Sequence, residues 1–106
     1  MEKYYYMSAG CLNHYIETQK IRNYLLDTML LREIREGNFL HQDPFIDITL
    51  LNVRNVESWS YNDYDPFKTN YISIIVEESD RESSAIVFFF RALEEICGWS
   101  VIEDPV

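Results

Sequence analysis

A chain of 106 residues with 47 % hydrophobic and 15 % aromatic side chains, against 25 % charged ones, lies outside the disordered regime and has room for one domain, residues 1–106, around one core. The net charge of −9 sits entirely in the later part: residues 1–42 hold five acids and five bases, whereas residues 43–106 hold thirteen acids and four bases. A negative field of this kind repels nucleic acid and anionic membranes and steers basic partners, so direct nucleic-acid binding and membrane binding are excluded as expectations.

The start, MEKYYYMSAGC, lacks the apolar core of a secretory signal, and no uncharged apolar run approaches the length of about 18 residues that a membrane span needs. The expected compartment is cytoplasmic. There, Cys11 and Cys97 are read as reduced, buried thiols, because their spacing matches no disulfide framework.

In chain order, Tyr4, Tyr5, Tyr6 and Met7 are β-prone and read as a first strand ending near Gly10. Over residues 15–36, Ile21, Tyr24, Leu25, Met29, Leu30 and Ile34 recur at intervals of three and four, which predicts a helix. Gly37 stands where its C′ residue belongs, and Arg32 and Arg35 would complement the dipole of its last turn. Residues 45–56 alternate, with Ile46, Ile48 and Leu50 opposite Asp47 and Thr49, and read as a strand. Its phase slips at Leu50–Leu51, the signature of a bulge or bend.

Residues 57–70, rich in Ser, Asn, Asp and Pro, read as a long loop, and residues 71–77 (YISIIVE) as another strand. Ser79 and Glu82 have the spacing of a capping box. They precede a run that places Ala85, Phe89, Ala92 and Ile96 on one face of a helix ended by Gly98. The stretch AIVFFF at 85–90 is also a strong strand sequence, which would make a hairpin instead. With a short last strand over 99–103, the expected class is α+β. Its architecture is a four-stranded antiparallel sheet with two helices on one face, in the β-α-β-β-α-β order of ferredoxin-like folds. The hairpin reading gives an α+β meander with a terminal helix.

No catalytic motif is present: there is no G-x-G-x-x-G, Walker sequence, G-x-S-x-G or H-E-x-x-H. Cys11 and His14 form half of a zinc motif, with His41 and Cys97 as distant completing ligands. Asn62–Asp65 lacks the glycine and glutamate of a calcium loop. No cofactor, metal or enzymatic activity is therefore expected.

What stands out is a loop that interleaves Trp59, Tyr61, Tyr64, Phe67 and Tyr71 with Glu57, Asp63 and Asp65. Aromatic residues of this kind dominate interface hot spots. Together with the carboxylates Glu77, Glu78, Asp80 and Glu82, they form the expected partner-binding set. The partner they suit is a basic, nucleic-acid-processing protein, and the expected function is an acidic inhibitor that occludes it, an immunity protein or antitoxin against a nuclease toxin. A phage anti-restriction or anti-CRISPR inhibitor uses the same physics. A ligand-sensing regulatory domain, open to homo-oligomerisation, is the expectation from a different class.

Overall fold

The structure is a computed structural model that describes residues 1–105. It is α+β, with two helices and a six-stranded antiparallel sheet. The strands are β1 (Glu2–Met7), β3 (Arg32–Arg35), β4 (Asn38–Gln42), β5 (Phe45–Leu51), β7 (Tyr71–Glu77) and β8 (Ile102–Glu103). They lie side by side as β3-β4-β5-β7-β1-β8. A separate two-stranded ribbon joins β2 (Ile16–Glu17) to β6 (Lys68–Thr69). The helices are α1 (Thr18–Asp27) and α2 (Ser84–Cys97). The expected four-stranded sheet is thus corrected to six.

The extra strands come from the segment read as the second half of the first helix. That helix stops at Asp27, and Leu30 takes a left-handed backbone (φ 59°) that redirects the chain into β3. The three-and-four spacing of Ile21, Leu25 and Met29 does bury all three side chains, but only the first two on helix. Ile34 continues that spacing by coincidence. It is exposed at a register shift in the β3–β4 pairing, where a bulge lifts it off the sheet. Gly37 is therefore the turn residue of a hairpin, not a helix cap, and Arg32 and Arg35 lie on a strand. Its φ of 82° disfavours a side chain, and the Tyr64 ring above it leaves no room for one, since a Cβ there would stand 2.3 Å from Tyr64 Cδ1.

The central ladder is regular. Residues Ile46 to Leu51 of β5 pair in unbroken register with Val76 to Tyr71 of β7, so the bulge expected at Leu50–Leu51 is absent. Both leucines are buried because each enters a different apolar cluster, one on each face of the sheet. On the first face, Ile46, Ile48, Leu50, Ile72, Ile74 and Val76 pack with Ile21 and Leu25 of α1 and with Ile86, Phe89 and Leu93 of α2. At roughly 1.5–3 kcal/mol per fully buried aliphatic side chain, this cluster is the main source of stability.

α2 is a helix as first read, which removes the hairpin alternative. Its cap is Ser83, whose hydroxyl accepts from Ile86 N–H at 3.2 Å, rather than Ser79, which lies in a single 3₁₀ turn over Glu78–Asp80. Gly98 ends it in the left-handed region, as the sequence suggests.

On the second face neither helix takes part. Leu51, Val53 and Tyr71 form a small cluster at one end, packed by Tyr6, Leu12 and Trp59. Buried Asn70 anchors it. Its Oδ1 accepts from Val53 N–H (2.8 Å), and its Nδ2 donates to the carbonyls of Val53 (2.9 Å) and Leu12 (3.1 Å). These bonds satisfy backbone groups that no strand pairs, and they fix the loop after β5 against the end of the sheet.

Candidate functional site

The expected site residues divide between the two ends of β7. Residues 57–67 gather near Tyr71, while Glu77, Glu78, Asp80 and Glu82 follow the other end, ~20 Å away for six residues of strand. They do not form one surface.

In the loop, several residues serve the loop itself. Asp63 closes a capping box with Ser60 around the 3₁₀ turn Tyr61–Asp63, accepting from Ser60 N–H at 3.0 Å. Asp65 accepts from Phe67 N–H (2.7 Å), Lys68 N–H (3.1 Å) and Asn52 Nδ2 (3.2 Å). Chiefly the Phe67 bond holds its carboxyl below the usual range. Trp59 meets Tyr61 edge to face at 5.9 Å and leans on the second cluster. The Arg35 guanidinium lies 4.3 Å from the Tyr61 ring centroid. Tyr64 covers Gly37, and Phe67 is the most exposed aromatic residue of the loop, at 77 %.

At the far end, charges are paired. Glu77 binds the N-terminal ammonium, and Glu78 lies 3.9 Å from Lys3 Nζ. Asp80 sits in the 3₁₀ turn and Glu82 is exposed just before α2. Surface pairs of this type contribute little to stability.

Of the clefts that border the loop, two contrast in charge. The first, about 430 Å³, is lined by Gln19, Arg22, Glu33, Ile34, Arg35, Glu36 and Tyr64. Its charges balance: Arg22 Nη2 reaches Glu33 Oε1 at 2.6 Å, and Arg35 stands with Glu36. Burial pulls the Glu33 carboxyl up, yet the bonds from Arg22 and from Gly37 N–H outweigh it and hold the group below its usual range.

The second cleft, about 810 Å³, lies between the start of β7, the segment after β1, the loop and the C-terminal segment, and is lined by Tyr6, Ser8, Gly10, Val56, Glu57, Tyr71, Asp104 and Pro105. Tyr6 and Tyr71 stack nearly parallel, with ring centroids 5.7 Å apart and planes at 7°. Two carboxylates line this cleft and no Lys or Arg does. The Tyr71 hydroxyl is pushed up by burial first and then by the charge of Asp104, which places that carboxylate within electrostatic reach of the ring. The Glu57 side chain makes no hydrogen bond or ion pair among the described residues, its backbone N–H alone bonding to Asn55 Oδ1 (2.9 Å). A neighbouring cavity of about 600 Å³, lined by Gly98, Trp99, Ser100 and Ile102, shares Tyr6, Ser8 and Gly10 with it.

Of this cleft, the loop composition pointed to Glu57 and Tyr71. Tyr6 and Asp104 were missed. The alternation of the tyrosines in β1, with Tyr5 against Phe90 of α2 at 4.9 Å, is the signal that sends Tyr6 to the opposite face.

The cysteines and histidines do not converge. His14 N–H bonds to the Cys11 carbonyl (3.1 Å), so C-x-x-H is a turn, while His41 packs edge-on to Phe89. Cys97 is buried in the core with its thiol pushed up to about 12 by desolvation, whereas Cys11 is exposed, correcting the expectation of two buried thiols. No group of three or more His, Cys, Asp or Glu suited to a metal occurs among the described residues, and no helix among them is long and apolar enough to cross a membrane. No protein-family model matches the chain, and no curated protein and no solved structure is similar to it.

Proposed function

We propose that this protein is a small acidic inhibitor that binds a basic, nucleic-acid-processing protein and covers its phosphate-binding surface, in the manner of an immunity protein or antitoxin. The observation that carries the reading is the cleft in which two stacked tyrosines meet Glu57, whose carboxylate pairs with no described residue. A surface that attracts phosphate is positive. A cleft of this composition competes for it with a fast, salt-sensitive association. The accessible surface of 6396 Å² accommodates a standard interface of about 800 Å² per partner.

The finer architecture belongs to the same proposal. Strands β8-β1-β7-β5 are neighbours in that order, α1 falls between β1 and β5 in the chain, and α2 between β7 and β8. This supports a ferredoxin-like core extended at one edge by the β3–β4 hairpin. Such a fold carries no function by itself.

The test is capture of a partner on the immobilised chain at low salt, elution at high salt, and titration of the eluted protein's nuclease activity with the free chain. Inhibition that saturates at one chain per partner is expected. A partner whose activity the chain leaves unchanged, or no basic partner at all, would overturn the reading. The size of the cleft also suits a small molecule. A metabolite that raises the melting temperature without any salt-sensitive protein partner would favour the sensor instead.

A further inference from the structure

We infer that the Tyr6–Tyr71 cleft is a receptor for a single arginine side chain projecting from the basic partner, so that this chain recognises its target by one inserted cation as well as by its overall field. The inference rests on the proposed inhibitor role, and the geometry narrows what the cleft can take. A lone acidic pair would attract any cation, including a hydrated metal. Here the carboxylates share the lining with two aromatic faces, Val56 and Pro105, which a hydrated ion cannot use.

A side chain with an apolar stem and a flat cationic head uses all of them. The stem lies along Val56 and the ring edges, the guanidinium stacks on the Tyr6 face, and its N–H groups point at carboxylate oxygens. The ammonium of lysine is strongly hydrated and cannot stack, so it makes fewer of these contacts. The tyrosines are 5.7 Å apart and already in contact, so the guanidinium adds to the outer face of the pair and does not enter between the rings.

Charge distribution supports the choice of this cleft over the rest of the surface. In the Gln19–Tyr64 cleft, Arg22 and Arg35 already occupy the cation's place, and at the Glu77–Glu78 end the N-terminal ammonium and Lys3 do. In this cleft Glu57 is the carboxylate whose ion-pairing capacity no described residue uses. Asn70 bonds to Val53 and Leu12, which lie three and two residues along the chain from the lining residues Val56 and Gly10, and so ties down the backbone near both walls. Preorganisation of this kind lowers the entropic cost of binding.

The experiment is a titration of the isotope-labelled full chain with an acetylated, amidated Gly-Arg-Gly peptide, followed by backbone amide shifts. Saturable shifts confined to Ser8, Gly10, Glu57 and Tyr71 are expected. The matching Gly-Lys-Gly peptide should bind several-fold more weakly. Glu57→Gln, which keeps shape while removing the charge, and Tyr6→Leu, which stays apolar while removing the aromatic face, should each weaken arginine binding by about fivefold. Glu82→Gln, at the other end of β7, should leave it unchanged.

Shifts that never saturate, shifts centred on Glu77–Glu82, or equal binding of the lysine peptide would overturn the inference. So would spermidine binding more tightly than the arginine peptide, which would make the cleft a receptor for free polyamines. The two proposals fail separately. A captured basic nuclease that Glu57→Gln and Tyr6→Leu chains bind and inhibit as tightly as the unchanged chain does removes the arginine receptor and leaves the inhibitor, whereas peptide binding without any basic partner does the reverse.

Discussion

The two faces of the sheet are built from the same strands and do different work. On one, Ile46, Ile48, Ile72, Ile74 and Val76 lie wholly out of water beneath both helices; on the other, the intervening Asp47, Ser73, Ile75 and Glu77 are half-buried, and Tyr4 is 44 % exposed. Period-two alternation assigns each residue to its face, and only the covered face is sealed. Stability is concentrated there. The uncovered face remains available for contact, with its aromatic and acidic end at Tyr6 and Tyr71 already shaped by the loop that folds onto it.

The largest expected effect separates neighbours in one strand. Ile74→Ala should destabilise by about 2–5 kcal/mol through a cavity under the helices, whereas Ile75→Ala should cost about 1 kcal/mol or less. Equal losses in urea unfolding would mean that the second face is as tightly packed as the first, and the comparison would break.

The next effect lies where the loop meets the sheet. Gly37 and Gly98 both need a left-handed backbone, but only Gly37 has a ring against it. Gly98→Ala should therefore cost about 1 kcal/mol and Gly37→Ala about 3 kcal/mol, the excess being displacement of Tyr64. Pairing Gly37→Ala with Tyr64→Ala should recover at least ~0.5 kcal/mol relative to the sum of the single changes. Strict additivity would show that Tyr64 does not press on the turn.

This same contact explains what could and could not be read from the residues. β7 was legible because YISIIVE is bounded by polar loop residues and is β-branched at four of its seven positions. α2 was legible because its apolar spacing ends at a glycine. The β3–β4 hairpin was not legible. Arg32 to Arg35 extend the spacing of Ile21 and Leu25, and Gly37 serves a helix end or a hairpin equally well, so the decision belongs to Tyr64, a partner 27 positions later. The phase slip at Leu50–Leu51 misled for a related reason, since two-sided burial and a bulge leave the same pattern.

The cleft was half legible. Composition marks Glu57 and Tyr71, but Tyr6 and Asp104 reach it only through the long-range pairing of β1 with β7 and the bond from Asp104 N–H to the Tyr4 carbonyl (2.8 Å).

A smaller effect follows from charge on the uncovered face. Helix capping comes first: Ser83→Ala should lower stability by about 1 kcal/mol with no change in partner binding, because the cap serves the covered face alone. Weakest is Asp47, whose carboxyl is raised, first by burial, against the opposing bond from Asn38 Nδ2 (2.7 Å). A carboxyl with a folded value above its unfolded one costs stability when ionised. The cost is absent below the unfolded value of about 3.9 and enters as pH rises through the folded one. Asp47→Asn should thus raise the melting temperature modestly at about pH 7 and leave it unchanged at about pH 3. It also brings an amide donor near Asn38 Oδ1, which has no partner among the described residues. A lower melting temperature at neutral pH would show that the ionised carboxylate is favoured where it stands.

The most direct test of the claim that the uncovered face meets the partner at its aromatic, acidic end is amide hydrogen exchange on the chain alone and in complex with its captured partner. New protection at Ser8, Ala9, Gly10, Val56 and Glu57, with little change along the exposed side of α2 at Val87 and Phe88, is expected. Protection centred on α2, or on residues 78–82 with the cleft unchanged, would contradict it.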